Sequence, residues 1–263
     1  MDLGLTNKVA IVAAASKGLG KAIAMELAAE GARVAICSRD EKRIREAAES
    51  IARQTGAQVH ASATDVTKAE DIERFVGETV RRFGTVQILV TNAGGPPPGP
   101  FTDLADAEWV RAFELNLMST IRLCRQVLPL MQKDRWGRII NVTSVAVKQP
   151  VDGLMLSNSI RSGVIGFAKT LANEVAAHNI LVNNVCPGYI RTERVEDLSR
   201  TMAQRKGTTA EAIVKSWEAG IPLGRIGDPR EFAALVAFLA SERASYITGA
   251  TIQVDGGMVK GTL

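Results

Sequence analysis

The chain has 263 residues, of which 46% are hydrophobic and 23% are charged, the balance of an ordinary soluble globular protein. This length allows one large α/β domain or two small ones, and no apolar run approaches the roughly 20 residues that a membrane-spanning helix needs. The net charge of +4 comes from 32 basic and 28 acidic residues, whose signs are interleaved, as in residues 39–43 (RDEKR). We therefore expect solvated charged faces, no nucleic-acid partner and no membrane partner.

Three cysteines bear on the redox environment. Cys37, Cys124 and Cys186 are odd in number, far apart and without a CxxC pair. We therefore expect neither a disulfide framework nor a zinc site, and a reducing cytoplasm as the compartment. The first apolar run, residues 9–15, follows Lys8 and predicts a strand, not a signal peptide.

Short apolar runs alternate with longer helical patterns along the whole chain. The predicted strands are Val9–Ala14, Arg33–Ser38, Gln58–Ala61, Gln87–Thr91, Arg138–Thr143, Leu181–Val185 and Thr251–Val254. The predicted helices lie near residues 19–30, 41–54, 68–83, 106–133, 154–177 and 229–240. Near-continuous Val, Ile and Ala runs are typical of a parallel sheet covered on both faces. With right-handed crossovers, this alternation predicts one doubly wound, Rossmann-type α/β domain over residues 1–263.

Two irregular regions interrupt the alternation. The loop of residues 94–100 (GGPPPGP) follows the fourth strand and is stiffened by its prolines. Residues 189–227 contain a helical pattern from Thr209 to Trp217, with Thr208 or Thr209 as its N-cap. Because a long insertion beyond the carboxyl end of a strand commonly covers a binding site, we predict a substrate lid over 189–227, with a surface excursion as the alternative.

The first strand leads into a turn of small residues and a helix, over residues 9–20 (VAIVAAASKGLG). In such a turn, backbone N–H groups at the helix N-terminus can approach a pyrophosphate without intervening side chains. The predicted contacts to a dinucleotide are Ala14, Ser16, Lys17, Gly18, Leu19 and Gly20.

The end of the second strand predicts which dinucleotide is preferred. An acidic residue there would bind the ribose 2′-hydroxyl of NAD, but this chain has Ser38 followed by Arg39. The Arg39 guanidinium suits a phosphate, and Lys17 can reach the same group. We therefore predict NADP(H) in preference to NAD(H); two merely exposed basic residues are the alternative.

Residues 137–169 (GRIINVTSVAVKQPVDGLMLSNSIRSGVIGFAK) resemble the catalytic segment of short-chain dehydrogenases/reductases, in the ketoacyl-carrier-protein-reductase-like branch. In that family a serine ends the strand, a tyrosine follows thirteen residues on, and a lysine comes four after that. Ser144 matches the serine, whereas Ser157 and Arg161 occupy the tyrosine and lysine positions. The resemblance covers residues 6–259 and implies about seven strands in the order 3-2-1-4-5-6-7.

Other positions match the family's cofactor-binding segments. By resemblance, the pair at residues 65–66 lies against the adenine, residues 92–94 border the cofactor, and residues 187–192 hold the nicotinamide carboxamide. The residues carried over are Asp65, Val66, Asn92, Ala93, Gly94, Pro187, Gly188, Ile190 and Thr192. The family's first glycine is replaced by Ala14, and because alanine cannot take every glycine conformation, we expect the turn to differ slightly.

The resemblance also implies how the catalytic groups divide their work. Asn116 matches an asparagine that holds a water relay, and Ser144 matches the serine that hydrogen-bonds the substrate oxygen. Ser157 is a far weaker acid than a phenol with a pKa near 10, and it is shorter by a whole ring. Arg161 keeps the positive charge that can bind the nicotinamide ribose, but it does not release a proton near neutral pH. We therefore expect cofactor binding to survive better than proton transfer.

These residues lead to a ranked set of hypotheses. The first is an atypical NADP(H)-dependent oxidoreductase that acts on a small-molecule carbonyl or alcohol substrate, is biased toward reduction and lacks the tyrosine acid at the family's position; Tyr189 is one substitute considered. The second is an inactive NADP(H)-binding homologue with a sensing or partner role. A third, in which Arg161 binds an anionic substrate group, has no separate support in the sequence. The family usually forms dimers or tetramers through the helices near 106–133 and 154–177, so we expect a homo-oligomer.

Overall fold

Seven parallel strands form one sheet in the computed structural model, which describes residues 2–262. The strands are β1 (Val9–Val12), β2 (Arg33–Ser38), β3 (Val59–Ala63), β4 (Ile88–Thr91), β5 (Gly137–Val142), β6 (Ile180–Pro187) and β7 (Thr251–Val254). Their order is β3-β2-β1-β4-β5-β6-β7, as predicted. The order reverses between β1 and β4, and such a switch point opens a crevice at the carboxyl ends of the strands.

Helices cover both faces of this sheet. They are α1 (Gly18–Ala29), α2 (Glu41–Thr55), α3 (Ala69–Phe83), α4 (Asp106–Phe113), α5 (Ser119–Asp134), α6 (Met155–Val175), α7 (Glu193–Lys206), α8 (Ala210–Gly220) and α9 (Pro229–Ala240). One core, which includes Ile23, Ile44 and Phe232, packs α1, α2 and α9 against the sheet. The other, which includes Phe75 and Leu123, packs α3, α5 and α6 against the opposite face. The doubly wound architecture is therefore confirmed.

Local sequence signals set several helix boundaries. Asp40 caps α2 by accepting a hydrogen bond from the Arg43 amide at 3.0 Å, and α2 ends at Gly56 in the left-handed conformation. Asp228 and Glu231 form a capping box at the start of α9, which satisfies backbone donors that a helix leaves free.

The helix predicted over 106–133 is not one regular α-helix. A π-helical turn, Glu114–Met118, separates α4 from α5. A π turn inserts one residue into the helical repeat and is found mostly at functional sites. The hydrophobic pattern continues through the turn, so periodicity alone predicted a single helix. Asn116 lies within it and is buried.

Residues 189–227 contain two helices, of which the sequence predicted only the second. Thr209 caps α8 and accepts a hydrogen bond from the Ala212 amide at 3.2 Å. The first helix, α7, is strongly charged and buries few apolar side chains, among them Val195 and Leu198, so its pattern was too polar to be recognised. Within residues 2–262, no helix is both long and apolar enough to cross a membrane.

Candidate active site

A cleft of about 590 Å³ lies at the carboxyl ends of the central strands. Its wall includes these residues predicted from the sequence: Ala14, Ser16, Lys17, Gly18, Leu19, Gly20, Ser38, Arg39, Asp65, Val66, Asn92, Ala93, Gly94, Ser144, Ser157, Arg161, Pro187, Gly188, Ile190 and Thr192. Of the predicted site residues, only Asn116 is not on this wall. Residues far apart in sequence therefore meet in a single cleft.

The turn after β1 is tightly packed. Ala14 has φ of 50°, the left-handed region that the glycine of the family motif would adopt without strain. A Cβ on Gly20 would lie 2.4 Å from the Ala14 carbonyl oxygen, so the first turn of α1 can approach this close only with glycine there. Asn92 donates from Nδ2 to the Ala13 and Ala14 carbonyls, both at 3.2 Å. Asn92, the residue after β4, therefore anchors the turn in which alanine replaces the family's glycine.

Lys17 does not extend freely toward the end of β2. Its ammonium forms an ion pair with Glu193, the first residue of α7. Thr192, just before that helix, lies against Gly18, where an added Cβ would be 3.5 Å from the threonine methyl group. The start of α7 is thus tied to the turn after β1 across the cleft.

The end of β2 presents basic groups to the cleft. The Ser38 hydroxyl donates to the Asp40 carbonyl at 3.1 Å, and Arg39 is exposed without an ion pair in the part of the chain that the structure describes. Arg43, which the sequence analysis missed, also lines the cleft, with Nε 3.4 Å from Asp40 Oδ2. Its position in the first turn of α2, close to the end of β2, was the sequence signal that could have placed it in the cleft.

The side chains of Ser144 and Ser157 lie at what we call the α6 end of the cleft, defined by these two residues and Arg161. Ser144 Oγ accepts a hydrogen bond from the Ala146 amide at 3.1 Å, so its own hydrogen remains free to donate. Ser157 is 8% exposed, and its hydroxyl has no hydrogen-bond partner within residues 2–262. Two hydroxyl groups are therefore available at this end.

The guanidinium of Arg161 is buried beside them. Nη1 donates to the Val142 carbonyl at 3.1 Å and to the Thr143 carbonyl at 3.2 Å. Burial, and secondarily the positive charge of Arg194, lower the pKa of Arg161 to about 10. The group therefore stays positive at neutral pH and is no proton donor there.

Asn116 lies behind the wall, in the π turn. Its Nδ2 donates to the Ala112 carbonyl at 3.2 Å, while Oδ1 is buried without a partner among the described residues. An unpaired buried acceptor is uncommon, which sets this asparagine apart from an ordinary helix residue.

The comparisons with known proteins agree with this arrangement. The family described as enoyl-(acyl carrier protein) reductase matches residues 13–259. The 3-oxoacyl-[acyl-carrier-protein] reductase FabG of Vibrio cholerae is 41% identical over 256 residues, which cover 97% of this chain and 99% of the relative. FabG of Aquifex aeolicus is 37% identical over 258 residues, covering 98% and 100%. The L-sorbose reductase of Gluconobacter frateurii, solved with NADPH and L-sorbose, has a TM-score of 0.94 at 35% identity, covering 99% of this chain and all of that one.

The chain belongs to the short-chain dehydrogenase/reductase family. Within it, the ketoacyl-reductase branch predicted from the sequence is supported by the FabG relatives. No group of three His, Cys, Asp or Glu side chains that could hold a metal ion occurs within residues 2–262.

Tyr189, which the sequence analysis considered as a substitute acid, lines the cleft wall. Its ring stacks on Trp217 of α8, with centroids 4.3 Å apart and planes inclined by 9°. Burial raises the pKa of Tyr189 above its ordinary value. Raising the pKa makes the phenol a weaker acid, which disfavours it as the substitute proton donor.

Arg194 is a second wall residue that the sequence analysis did not assign to the site. Its Nη2 donates to the Pro96 carbonyl at 2.7 Å, so α7 contacts the proline-rich loop after β4. A Cβ on Gly95 would lie 2.8 Å from the Arg194 guanidinium, and this glycine therefore admits the side chain. The signal in the sequence was the pair of glycines that precedes Pro96, and Arg194 lies 98 positions after Pro96.

Proposed function

We propose that this protein is an NADPH-dependent reductase of carbonyl compounds that works without a tyrosine proton donor. The observation that carries the proposal is the single cleft that joins the turn after β1 to the hydroxyls of Ser144 and Ser157. The relatives support it, since FabG of Vibrio cholerae is named a reductase and the L-sorbose reductase was solved with NADPH.

The residues of the cleft fit a dinucleotide. A Cβ on Gly20 would meet the Ala14 carbonyl oxygen at 2.4 Å and a Cβ on Gly188 would meet Asp255 at 2.8 Å, so glycine lets the chain pack tightly at both places on the cleft wall. Arg39 and Arg43 offer guanidinium groups to a 2′-phosphate. The position that carries an acidic residue in NAD-binding proteins is Ser38 here, so this position does not repel the phosphate. We therefore favour NADP(H) over NAD(H). The bound cofactor supplies the hydride.

Ser157 and Arg161 stand, in this proposal, where the family's tyrosine and lysine stand. Ser144 donates a hydrogen bond to the carbonyl oxygen, and Arg161 keeps a positive charge beneath the site. The proton comes from solvent, because neither Ser157 nor Arg161 is an effective acid near neutral pH. Loss of a positioned general acid costs about 10²–10⁴-fold in rate, or about 3–5 kcal/mol of barrier, so we expect slow reduction of reactive carbonyls.

Residues 189–227 form the lid of this site in our proposal. Three contacts support it: Glu193 with Lys17, Arg194 with Pro96, and Arg205 with the Pro98 carbonyl at 3.2 Å. All three join α7 to loops at the mouth of the cleft.

A cytoplasmic location is a separate proposal, which rests on the three widely spaced cysteines of the sequence.

A homo-oligomer, either a dimer or a tetramer, is also part of the proposal. Val110 and Phe113 of α4 are 60% and 39% exposed, and apolar side chains of this size on one helix are suited to packing against a second copy. Light scattering after size-exclusion chromatography will test the state directly, and a monomer at micromolar concentration would contradict it.

The reductase proposal is tested by NADPH consumption on a panel of carbonyl compounds. We expect slow turnover by the wild type, and a loss of about 10²-fold or more in Ser144→Ala, because the variant removes a hydrogen bond to the developing oxyanion. Unchanged turnover in that variant would place the chemistry elsewhere.

The Ser157→Tyr/Arg161→Lys double variant provides the matched comparison. We expect it to be faster than the wild type, because it supplies a tunable phenol and a lysine. If only the double variant consumes NADPH while both proteins bind it, the natural protein is the inactive cofactor-binding homologue. In that case the proposal of catalysis fails, although the assignment of the cleft stands.

A further inference from the structure

Two arginines of the cleft wall have no carboxylate partner among the described residues. Arg161 comes from α6 and Arg194 from the first turn of α7, and both line the cleft. Neither forms an ion pair with any Asp or Glu of residues 2–262. Arg161 is buried, and removing its positive charge from water without a counter-charge is unfavourable, whereas Arg194 stays exposed on the cleft wall. A buried, unpaired charge in a cleft marks a functional site.

Arg161 is 8% exposed, and only part of its guanidinium is used. Nη1 serves the Val142 and Thr143 carbonyls, whereas Nε and Nη2 have no hydrogen-bond partner in the described part of the chain. Five N–H donors belong to a guanidinium, so most of them remain available to a molecule in the cleft.

Arg194 is held in place by two contacts. Nη2 donates to the Pro96 carbonyl at 2.7 Å, and the guanidinium lies against Gly95, where a Cβ would come within 2.8 Å of Nε and Nη2. Desolvation at the cleft wall lowers the pKa of Arg194, while the charge of Asp197 acts in the opposite direction. The group is thus a positioned cation at the wall.

The two acidic residues of the cleft wall on α7, Glu193 and Asp197, already pair with other basic side chains. Glu193 pairs with Lys17, and Asp197 accepts from Arg200 Nη2 at 2.5 Å. No acid of residues 2–262 forms an ion pair with Arg194 or Arg161, and Asp197 acts on Arg194 only through its charge at longer distance. No direct salt bridge therefore competes with an anion for the two guanidinium groups.

We propose that the substrate is a small oxo acid whose carboxylate is bound by Arg194, with Arg161 adding a second positive charge. This rests on the proposed reductase function and names its substrate class. Arginine binds a carboxylate through two parallel hydrogen bonds, and the Ser144 hydroxyl then donates to the carbonyl oxygen. Reduction transfers a hydride from NADPH to the carbonyl carbon and a proton from water to its oxygen, which gives the hydroxy acid and NADP⁺.

The test measures binding separately from turnover. Calorimetric titration of the NADP⁺-loaded protein compares 2-oxobutanoate, 3-oxobutanoate and 4-oxopentanoate with their methyl esters. We expect at least one acid to bind about 10-fold or more tightly than its ester, as hydrogen bonds to charged groups predict. In Arg194→Gln we expect this ratio to fall toward one, and in Arg194→Lys to be partly retained.

Arg53→Gln is the matched control, because it removes an exposed guanidinium from the last turn of α2, away from the cleft, and it should keep the wild-type ratio. Equal binding of acids and esters by the wild type would overturn the proposal, as would an unchanged ratio in Arg194→Gln. If Arg194→Gln weakens NADP⁺ binding with the ratio unchanged, Arg194 serves the cofactor and the proposal fails. Acid preference without NADPH consumption would support the anion site and refute the reductase function.

Discussion

At the scale of single residues, Ala14 shows how a substitution in a motif can leave the backbone conformation in place. It adopts φ of 50°, a conformation that costs a residue with a Cβ roughly 1–2 kcal/mol. Asn92 holds the carbonyls of Ala13 and Ala14, so the surrounding contacts offset this cost.

Ala14→Gly should therefore stabilise the protein. Relief of the left-handed strain exceeds the entropy that glycine adds to the unfolded chain, and we expect the free energy of unfolding to rise by about 0.5–1 kcal/mol. Urea denaturation measures the change. Ala13→Gly, at a neighbouring position without a positive φ, is the control and should destabilise; the same sign in both variants would refute the argument.

At the scale of elements, the Lys17–Glu193 pair couples α7 to the turn that starts α1. Both side chains are about half exposed, at 47% and 56%, and exposed pairs contribute roughly 0–1 kcal/mol. The pair is therefore weak enough to be exchanged for a different anion. A 2′-phosphate at the end of β2 is the anion that we expect Lys17 to bind.

Glu193→Gln should tighten NADP⁺ binding selectively. With Glu193 neutral, Lys17 is released without an energetic penalty, so we expect the NADP⁺ dissociation constant to fall by up to about five-fold, with that of NAD⁺ unchanged. Fluorescence titration with both nucleotides measures this. Glu196→Gln, on the same helix but away from the cleft wall, should change neither. Weaker binding of both nucleotides in Glu193→Gln would show instead that the pair holds α7 over the cofactor.

At the scale of the whole molecule, a chain of side-chain hydrogen bonds, buried except for its partly buried last member, crosses four strands. Thr91 Oγ1 of β4 donates to Asn141 Oδ1 of β5 at 2.8 Å, and Asn141 Nδ2 donates to Asn184 Oδ1 of β6 at 3.0 Å. Asn184 Nδ2 then donates to Thr251 Oγ1 of β7 at 3.1 Å. Since buried polar groups are costly when unpaired, each member depends on the next.

Asn141→Leu should be strongly destabilising, although it keeps the size of the side chain. It leaves the Thr91 hydroxyl and the Asn184 carbonyl oxygen buried without their partner, at a cost of about 1–3 kcal/mol each. Chemical denaturation gives the loss. Asn173→Leu, at an exposed position of α6, should stay within about 0.5 kcal/mol of the wild type. A similarly small loss for Asn141→Leu would mean that water replaces the missing bonds.

Much of the fold follows from patterns that are local in the sequence. Runs such as Val9–Val12 are apolar throughout because both faces of a parallel strand are buried, and Asp228 marks the start of α9 by its capping chemistry. The same periodicity could not reveal the π turn at Asn116, since a single inserted residue leaves the apolar pattern on either side intact.

The sequence by itself determined the alternation of strands and helices, because the hydrophobic period acts over short distances. Its resemblance to the short-chain dehydrogenase/reductase family supplied the strand order and many of the predicted cleft residues, but neither signal included Arg43 or Arg194. Only the tertiary structure decided which charges pair. Lys17 meets Glu193 across 176 positions and Arg194 meets Pro96 across 98, and no pattern in the chain encodes such contacts. They arise because parallel strands bring their carboxyl ends to one edge, where side chains from distant segments must share a single cleft.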